Sequence, residues 1–367
     1  MAQPKDTLNA SDPVCVFIQK RAIRAGAQVS LSRIVTSEEA PALKPFILLA
    51  DDGWLSSFFQ KNNIPCMVSP WPSPRSLGAR LGSLKRFAHK FVQQLAEQGL
   101  TINAVVANDH QECLLAHAIA KAASKPKTIA ILRSSNMSQR DFYKYRCADC
   151  DTLFTRGDAL TTNVSRWSQH EASNILGSFT DHDFFPPKEH TPSFPKKILI
   201  AGSEIPAKGF SDIFDALSII SQKEPEFPVS EFTFTGKQTD ALTSAIPAKS
   251  PHTFTFAGRV ANFPSFARQF DLAIHPSRQE SFGMAPLELM LVGLPTMISI
   301  TGIASSLPLP PPWTFPPNSP EHLADCLIIL WKDWSNYPFD SNEIQQFIHK
   351  KYHISQTTLA LKQAILS

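Results

Sequence analysis

Two carboxylates eight positions apart, Glu280 and Glu288, flank Gly283, Met284 and Pro286 in the stretch DLAIHPSRQESFGMAPLELMLVGLPT, residues 271–296. Carboxylates cannot hold a phosphate, but they accept hydrogen bonds well from vicinal hydroxyls such as those of a ribose. Gly283 lets the backbone approach a ligand, and Pro286 suits the first turn of a helix. The amides of Gly283 and Met284 then lie at a helix start, where they lack intrahelical partners and form an anion site. Amides for a diphosphate, with acids for the sugars on either side of it, is the layout a nucleotide-sugar requires. A plain structural reading also exists, because a Glu near a helix start favours the macrodipole and strand-loop-helix units occur in any α/β protein. The companion features decide between the two.

The run KILIAG ends in Gly202, and the loop SEIPAKG places Lys208 at a helix entrance, where an ammonium and helix amides can both meet phosphate oxygens. TFTFAGRV ends in Gly258 and Arg259. His275 ends the next apolar run; beside Pro276 it reads as a packing or hydrogen-bonding residue without chemistry. No GxGxxG or Walker A pattern follows an apolar run, which argues against dinucleotide oxidoreductases and P-loop NTPases. No acidic pair has metal-ligand spacing. Of the six cysteines, Cys147 and Cys150 form a CxxC, but a zinc site needs four ligands and no second pair is near in sequence. The cysteines therefore read as buried thiols, and no metal and no cofactor are expected.

The elements that must position these residues follow from the pattern of apolar runs. At 367 residues the chain exceeds what one core usually serves. PVCVFI, PFILLA, IPCMV, INAVVA, TIAIL and DTLFT alternate with amphipathic segments, and after a break KILIAG, EFTFTG, TFTFAGRV, LAIHPS and PTMISI do so again. Such alternation predicts α/β architecture with two Rossmann-like, doubly wound parallel sheets whose strand ends face a cleft. The expected division is residues 1–180, a proline-rich linker over 181–196, a second domain over 197–335, and C-terminal helices over 336–367 that return to the first domain. Thirty prolines against 14 glycines point to many rigid connections.

With 18% charged residues and a formal charge of +3, the chain is that of a globular protein and carries no signal for nucleic acid. No apolar run reaches a membrane span and the start lacks a signal-peptide pattern, so a cytoplasmic location is expected. From Arg75 to Leu95, Leu77, Leu81, Leu84, Ala88, Phe91 and Leu95 recur at helical spacing among Arg75, Arg80, Lys85, Arg86 and Lys90. This pattern fits both a basic helix on an anionic membrane, making the protein peripheral, and a helix packed on its own sheet.

The loop IAGSEIPAKG, FAGRV and HPSRQESFGMAPLELMLVGLP together resemble the donor domain of GT-B glycosyltransferases of family 4, whose pattern EGFGxxxxE is followed by a small-residue helix and GxP. Glu280, Phe282, Gly283, Glu288, Gly293 and Pro295 match that pattern directly. RAGAQVSLSRI is similar to the family's GGAE loop, with Ala25 and Gly26 at the two glycines, and HPxxQE has some likeness to lipopolysaccharide-core hexosyltransferases.

The resemblance implies a retaining, metal-independent transfer of a hexose from a nucleotide-sugar to a saccharide or lipid-linked acceptor, in cell-surface glycan or lipopolysaccharide assembly. It assigns Glu288 to the ribose, Glu280 to the donor sugar, and the Phe282-Gly283-Met284 turn to the diphosphate or sugar. Lys208, with Gly202 and Ser203 in its loop, goes to the leaving diphosphate, the Arg259-Val260 backbone to the base, and the Gly26 loop to the phosphates from the opposite domain. Two departures stand out. Ser203 replaces an Arg of the family, and Arg133 stands where many members place a His. Either Arg133 supplies the missing charge as a catalytic residue, or the protein is an impaired GT-B fold that binds a nucleotide-sugar or a partner without turnover.

Overall fold

The computed structural model describes residues 13–72, 82–134, 136–168, 171–188, 193–280 and 282–367. The chain divides into two compact units, Met1–Thr180 with Tyr352–Ser367, and Asp181–Lys351.

The first unit is built on seven parallel strands: β1 (Pro13–Gln19), β2 (Pro45–Leu49), β3 (Cys66–Val68), β4 (Thr101–Ala107), β5 (Lys127–Leu132), β6 (Thr152–Thr155) and β7 (Ala172–Asn174), in the order β3-β2-β1-β4-β5-β6-β7. Its central strands are buried on both faces, which is why they read as unbroken apolar runs. Along β1, Val14, Val16 and Ile18 join the core under the helices Ser83–Glu97 and Cys113–Ala122. Cys15 and Phe17 join the opposite core, under Gly26–Thr36 and Ile354–Leu366. That alternation is the period of two of a strand covered on both sides.

In the helix Ser83–Glu97, Leu84, Ala88, Phe91 and Leu95 are all buried against the sheet, while Lys85, Arg86 and Lys90 are exposed. Of the two readings the sequence left open, the described part of this stripe fits the helix packed on its own sheet, with the basic residues as its solvated face. The positions 75–81 of that stretch lie outside the described residues. Among the described residues no helix is long and apolar enough to cross a membrane.

The second unit has six parallel strands: β8 (Lys197–Ile200), β9 (Glu231–Phe234), β10 (Thr253–Phe256), β11 (Leu272–His275), β12 (Thr296–Ser299) and β13 (Thr314–Phe315), ordered β10-β9-β8-β11-β12-β13. The chain runs outward from β8 to β9 and β10, then returns to β11 and runs outward the other way. The strand order therefore reverses between β8 and β11, a switch point of the kind that leaves a crevice at the carboxyl ends of the two strands. The helix Met284–Leu291 is buried nearly all round, with Leu287, Leu289 and Met290 inaccessible. Truncating one of these to Ala would cost about 2–5 kcal/mol.

The short strands β7 and β13 and the short helix Asp240–Ala245 escape the periodicity reading. The proline-rich passage after Ser299 carries β13 because Ile298 donates to the Trp313 carbonyl at 2.9 Å and so extends the sheet by one edge. Part of the expected linker is bonded into the second unit. Phe185 and Lys188 donate their amides to the Leu291 and Gly293 carbonyls at 2.9 and 3.1 Å, where a helix end leaves acceptors open. Arg268 Nη1 caps two further carbonyls there, Pro186 at 2.7 Å and Val292 at 2.8 Å.

Candidate active site

The switch point of the second unit gathers side chains from the loops after β8 and β11. Lys208 closes a 3-10 turn, Pro206–Lys208, and Gly209 follows it in the left-handed region at φ +65°. A Cβ on Gly209 would lie 2.1 Å from the Pro276 carbonyl oxygen, so the close approach of the two loops requires glycine there. The loops are also tied by hydrogen bonds to the Ala207 carbonyl, from the Arg278 amide at 2.8 Å and the Ser277 hydroxyl at 3.1 Å. Arg278 further grips buried Asp212 with Nη2 and with Nε, the latter at 3.2 Å, and that partner raises the Arg278 pKa. This clamp aims the side chain of Lys208 back toward β11.

There Lys208 Nζ lies 2.5 Å from Oε1 of Glu280, although 72 residues separate them. His275 Nε2 approaches the same oxygen at 2.8 Å, and its Nδ1 sits 3.0 Å from the Ala201 carbonyl. Glu280 Oε1 is thus held between the Lys208 ammonium and the His275 ring. Burial alone would raise its pKa; His275 and Lys208 outweigh that and hold the carboxyl at about 2. The Glu280 side chain is 11% exposed and that of Lys208 21%, leaving both reachable at the surface.

Gly283 caps the helix Met284–Leu291 in the left-handed region at φ +98°, and no described side chain caps that end. The turn is held from below: the Ile303 amide donates to the Phe282 carbonyl at 2.9 Å, and an added Cβ on Gly302 would come within 2.7 Å of that oxygen. Phe282 is itself buried, so its ring supports the turn and does not line it. Glu288 is half-buried one turn into the helix.

Other expected site residues are placed differently. The Gly202 amide donates to the Thr235 hydroxyl at 2.9 Å, and that hydroxyl returns a bond to the Gly202 carbonyl at 2.8 Å. Gly202 therefore offers no amide to an anion; a side chain there would press on the Phe210 ring at 3.1 Å. Ser203 is exposed. Arg259 and half-buried Val260 follow the edge strand β10, two strands from β8 at the same end of the sheet. Gly26 and Arg133 belong to the first unit. Gly26 begins the helix Gly26–Thr36, exposed, with nothing within 4 Å of an added Cβ. Arg133 donates through Nε and Nη2 to the Asn108 side chain at 3.1 and 2.7 Å, and burial lowers its pKa to about 10.

His275, read in the sequence as a packing or hydrogen-bonding residue, is a hydrogen-bonding one, and its partner is Glu280. One group went unread in the sequence, the cluster NDHQE at the end of β4, beside β1, where the first sheet also reverses its order. Asn108 Nδ2 donates to Gln19 Oε1 at 2.5 Å, and Asp109 accepts from the His110 ring at 3.0 Å and the Ser134 hydroxyl at 2.9 Å. Burial opposes the charge on Asp109, but these donors keep its pKa below the ordinary value, and Asp109 in turn raises that of His110 against its burial.

Residues 195–333 match the family model described as glycosyl transferases group 1. The match lies within the second unit, and the two parallel-sheet units together have the GT-B fold of the solved structures that follow. HepE from Anabaena, solved with UDP and glucose, superposes with a TM-score of 0.74 at 16% identity, covering 96% of this chain and 99% of that one. The lipopolysaccharide outer core galactosyltransferase WaaB gives 0.72 at 15% identity, with 97% and 99% covered. Among curated relatives, mannosylfructose-phosphate synthase of Agrobacterium fabrum is 29% identical over 35% of this chain and 32% of its own length. The lipopolysaccharide core biosynthesis mannosyltransferase LpsB of Rhizobium meliloti is 40% identical over 14% of this chain and 15% of its own. The chain thus matches a third or less of the length of these curated relatives.

Proposed function

We propose that the protein is a retaining hexosyltransferase that uses a nucleotide-sugar donor and needs no metal in the transfer step. The observation that carries this reading is the convergence of Lys208 and His275 on Glu280 beside the Gly283 turn. Lys208 supplies a positive charge beside the place a diphosphate would take, and the turn adds backbone donors. In the transfer, the anomeric carbon–oxygen bond to the diphosphate breaks and the acceptor hydroxyl attacks from the same face. Its proton passes to the departing phosphate oxygen. Lys208 neutralises the charge growing on that oxygen, Glu280 orients the hexose, and Glu288 accepts from the ribose hydroxyls. Acceptor recognition is assigned to the first unit. Kinship with lipopolysaccharide-core enzymes and with proteins solved with UDP supports a nucleotide-sugar donor and a saccharide or lipid-linked acceptor of the cell surface.

A second reading, binding without turnover, is favoured by exposed Ser203 in place of a cation and by the commitment of Arg133 to Asn108. Release of nucleoside diphosphate from a panel of UDP-, GDP- and ADP-sugars, with and without saccharide acceptors, separates the two. Acceptor-stimulated release from one donor is the expected result. Tight donor binding with no release under any condition would establish the second reading.

A further inference from the structure

Three arginines that the proposed transfer does not use gather on one face of the first unit's sheet, at the carboxyl ends of its strands. Arg133 follows β5 and Arg156 follows β6. The register pairs Leu132 with Thr155, and the Arg156 amide donates to the Leu132 carbonyl at 3.0 Å, which sets the two arginines side by side. Alternation carries both to the face under the helix Gly26–Thr36, because Ile131 and Phe154, two residues back on each strand, belong to that core. The third, Arg33, comes from that helix itself. Its guanidinium lies over the Phe179 ring at 5.1 Å, while Arg156 donates to the Gly177 carbonyl at 3.0 Å and to the Ser178 hydroxyl, so the segment 177–179 meets both. Arg133 is tied from the other side. Asn108 accepts from its Nε and Nη2 and donates in turn to the Ala27 carbonyl, at 3.3 Å, at the start of the same helix.

A doubly wound sheet is apolar under its helices as a rule, and this corner is not. Ser30 lies one turn after Ala27 and one turn before Arg33, on the helix face turned to Asn108. It is 1% exposed, and its hydroxyl has no hydrogen-bond partner among the described residues. Arg156 is 4% exposed, and burial, with the charges of Arg133 and Arg33, pushes its pKa well below the ordinary value. Guanidiniums crowded in this way oppose one another, and their burial stays costly until an anion neutralises them. Asp109, the carboxylate that attracts Arg133, is committed to its own turn, where it accepts from the His110 amide and ring and from the Ser134 hydroxyl. Glu112 has its carboxyl pushed up to about 8, chiefly by burial, and is protonated at neutral pH.

We propose that Arg33, Arg133 and Arg156, with the Ser30 hydroxyl, form a site for one phosphate group borne by a saccharide. On the transfer reading, on which this naming of the ligand rests, that saccharide is the acceptor. A guanidinium fork matches the paired oxygens of a phosphate, and Arg133 has N–H donors beyond those that Asn108 accepts. Several cations beside one committed carboxylate suit a dianion better than a second carboxylate. A neutral sugar would leave the repulsion in place, whereas a phosphate replaces it with attraction to each guanidinium. Arg33 and Arg133 are half-buried and reach solvent, so the group can enter, and Arg156 is the deep partner. The site is separate from the Lys208 cluster, which belongs to the second unit and serves the leaving diphosphate. No bond is made or broken at the arginines; they hold the phosphate and thereby orient the saccharide that carries it.

The test is calorimetric titration of the full chain, in low salt, with inorganic phosphate and with glucose and glucose 6-phosphate as a matched pair. Phosphate and glucose 6-phosphate are expected to bind, and glucose to bind at least about tenfold more weakly, as the loss of a charge-assisted hydrogen bond implies. Arg33→Gln and Arg133→Gln should each weaken both phosphate ligands about tenfold. Arg156→Lys should keep part of the affinity, and Lys90→Gln, on the exposed face of the helix Ser83–Glu97, should keep all of it. Binding should also survive Lys208→Ala, which removes the donor-site cation. If an arginine variant fails to fold, the matched pair on the wild-type and Lys208→Ala chains still decides. Equal affinity for glucose and its phosphate, or phosphate binding that vanishes with Lys208 and not with the arginines, would overturn the proposal. The titration needs no donor, so a chain that transfers to neutral saccharides yet fails it loses this site alone. One that binds the phosphate yet releases no nucleoside diphosphate loses the transfer reading alone.

Discussion

His275 and Glu280 are five residues apart, and the imidazole Nε2 of the first lies 2.8 Å from the carboxylate Oε1 of the second, with the ring fixed at its other nitrogen by the Ala201 carbonyl. Since His275 ends β11 and Ala201 follows β8, this contact joins the two strands between which the sheet reverses. The carboxylate is thus positioned by the sheet itself and not by its loop alone.

Glu280 has a folded pKa of about 2 against an ordinary value of 4.5. Its contribution to stability is therefore complete above pH 4.5 and is lost as pH falls toward 2. The shift corresponds to about 3 kcal/mol, an upper figure because the group reaches solvent. Glu280→Gln should flatten the acid limb of a urea-midpoint profile, and an unchanged limb would show that other carboxylates dominate it.

Lys208→Ala should lower turnover by several orders of magnitude while circular dichroism stays that of the wild type. Glu280 keeps His275 as a partner in that variant, so no buried charge is left alone. Wild-type rates would remove Lys208 from the mechanism.

Gly209→Ala should destabilise the second unit by at least about 2 kcal/mol, combining a left-handed backbone with a clash on a carbonyl that cannot rotate away. Thermal unfolding measures it directly. A melting temperature within a degree of wild type would mean that the two loops part without cost.

Glu112, buried beside Asp109 with its Oε2 lacking a hydrogen-bond partner, has its carboxyl pushed up to about 8, chiefly by burial. The folded state therefore holds a proton that the unfolded state releases above pH 4.5, and stability falls as pH rises from there to 8. Glu112→Gln mimics the protonated form. It should be the more stable protein at alkaline pH and should lose that part of the pH dependence, as denaturant midpoints across the range would reveal.

The helix Ser83–Glu97 offers a lipid surface charge but no apolar face. Sedimentation with anionic vesicles is expected to be weak and to vanish at about 0.5 M salt. Retention at high salt would mean that apolar side chains insert.

Much of this arrangement is written locally. The strand cores were legible because parallel strands covered on both faces must be apolar throughout, and the helix at Met284 because Gly283 and Pro286 punctuate it. The pairing of Glu280 with Lys208 was legible only as a shared neighbourhood, from a pattern of residue types. What stayed hidden depended on contacts distant in sequence. Gly202 looked like a donor to phosphate until Thr235 was seen to take its amide, and the partners of His275 could not be named because one of them lies across a strand.

The sequence alone therefore determined two doubly wound sheets, the glycine and carboxylate pattern of the second, and the lysine that accompanies it, since each follows from periodicity and backbone sterics within a few dozen residues. The tertiary structure decided which groups share a charge or a hydrogen bond. It joins β8 to β11, so that His275 meets the Ala201 carbonyl and Lys208 meets Glu280. Electrostatic and hydrogen bonds act over a few ångströms of space, and separation along the chain does not limit them.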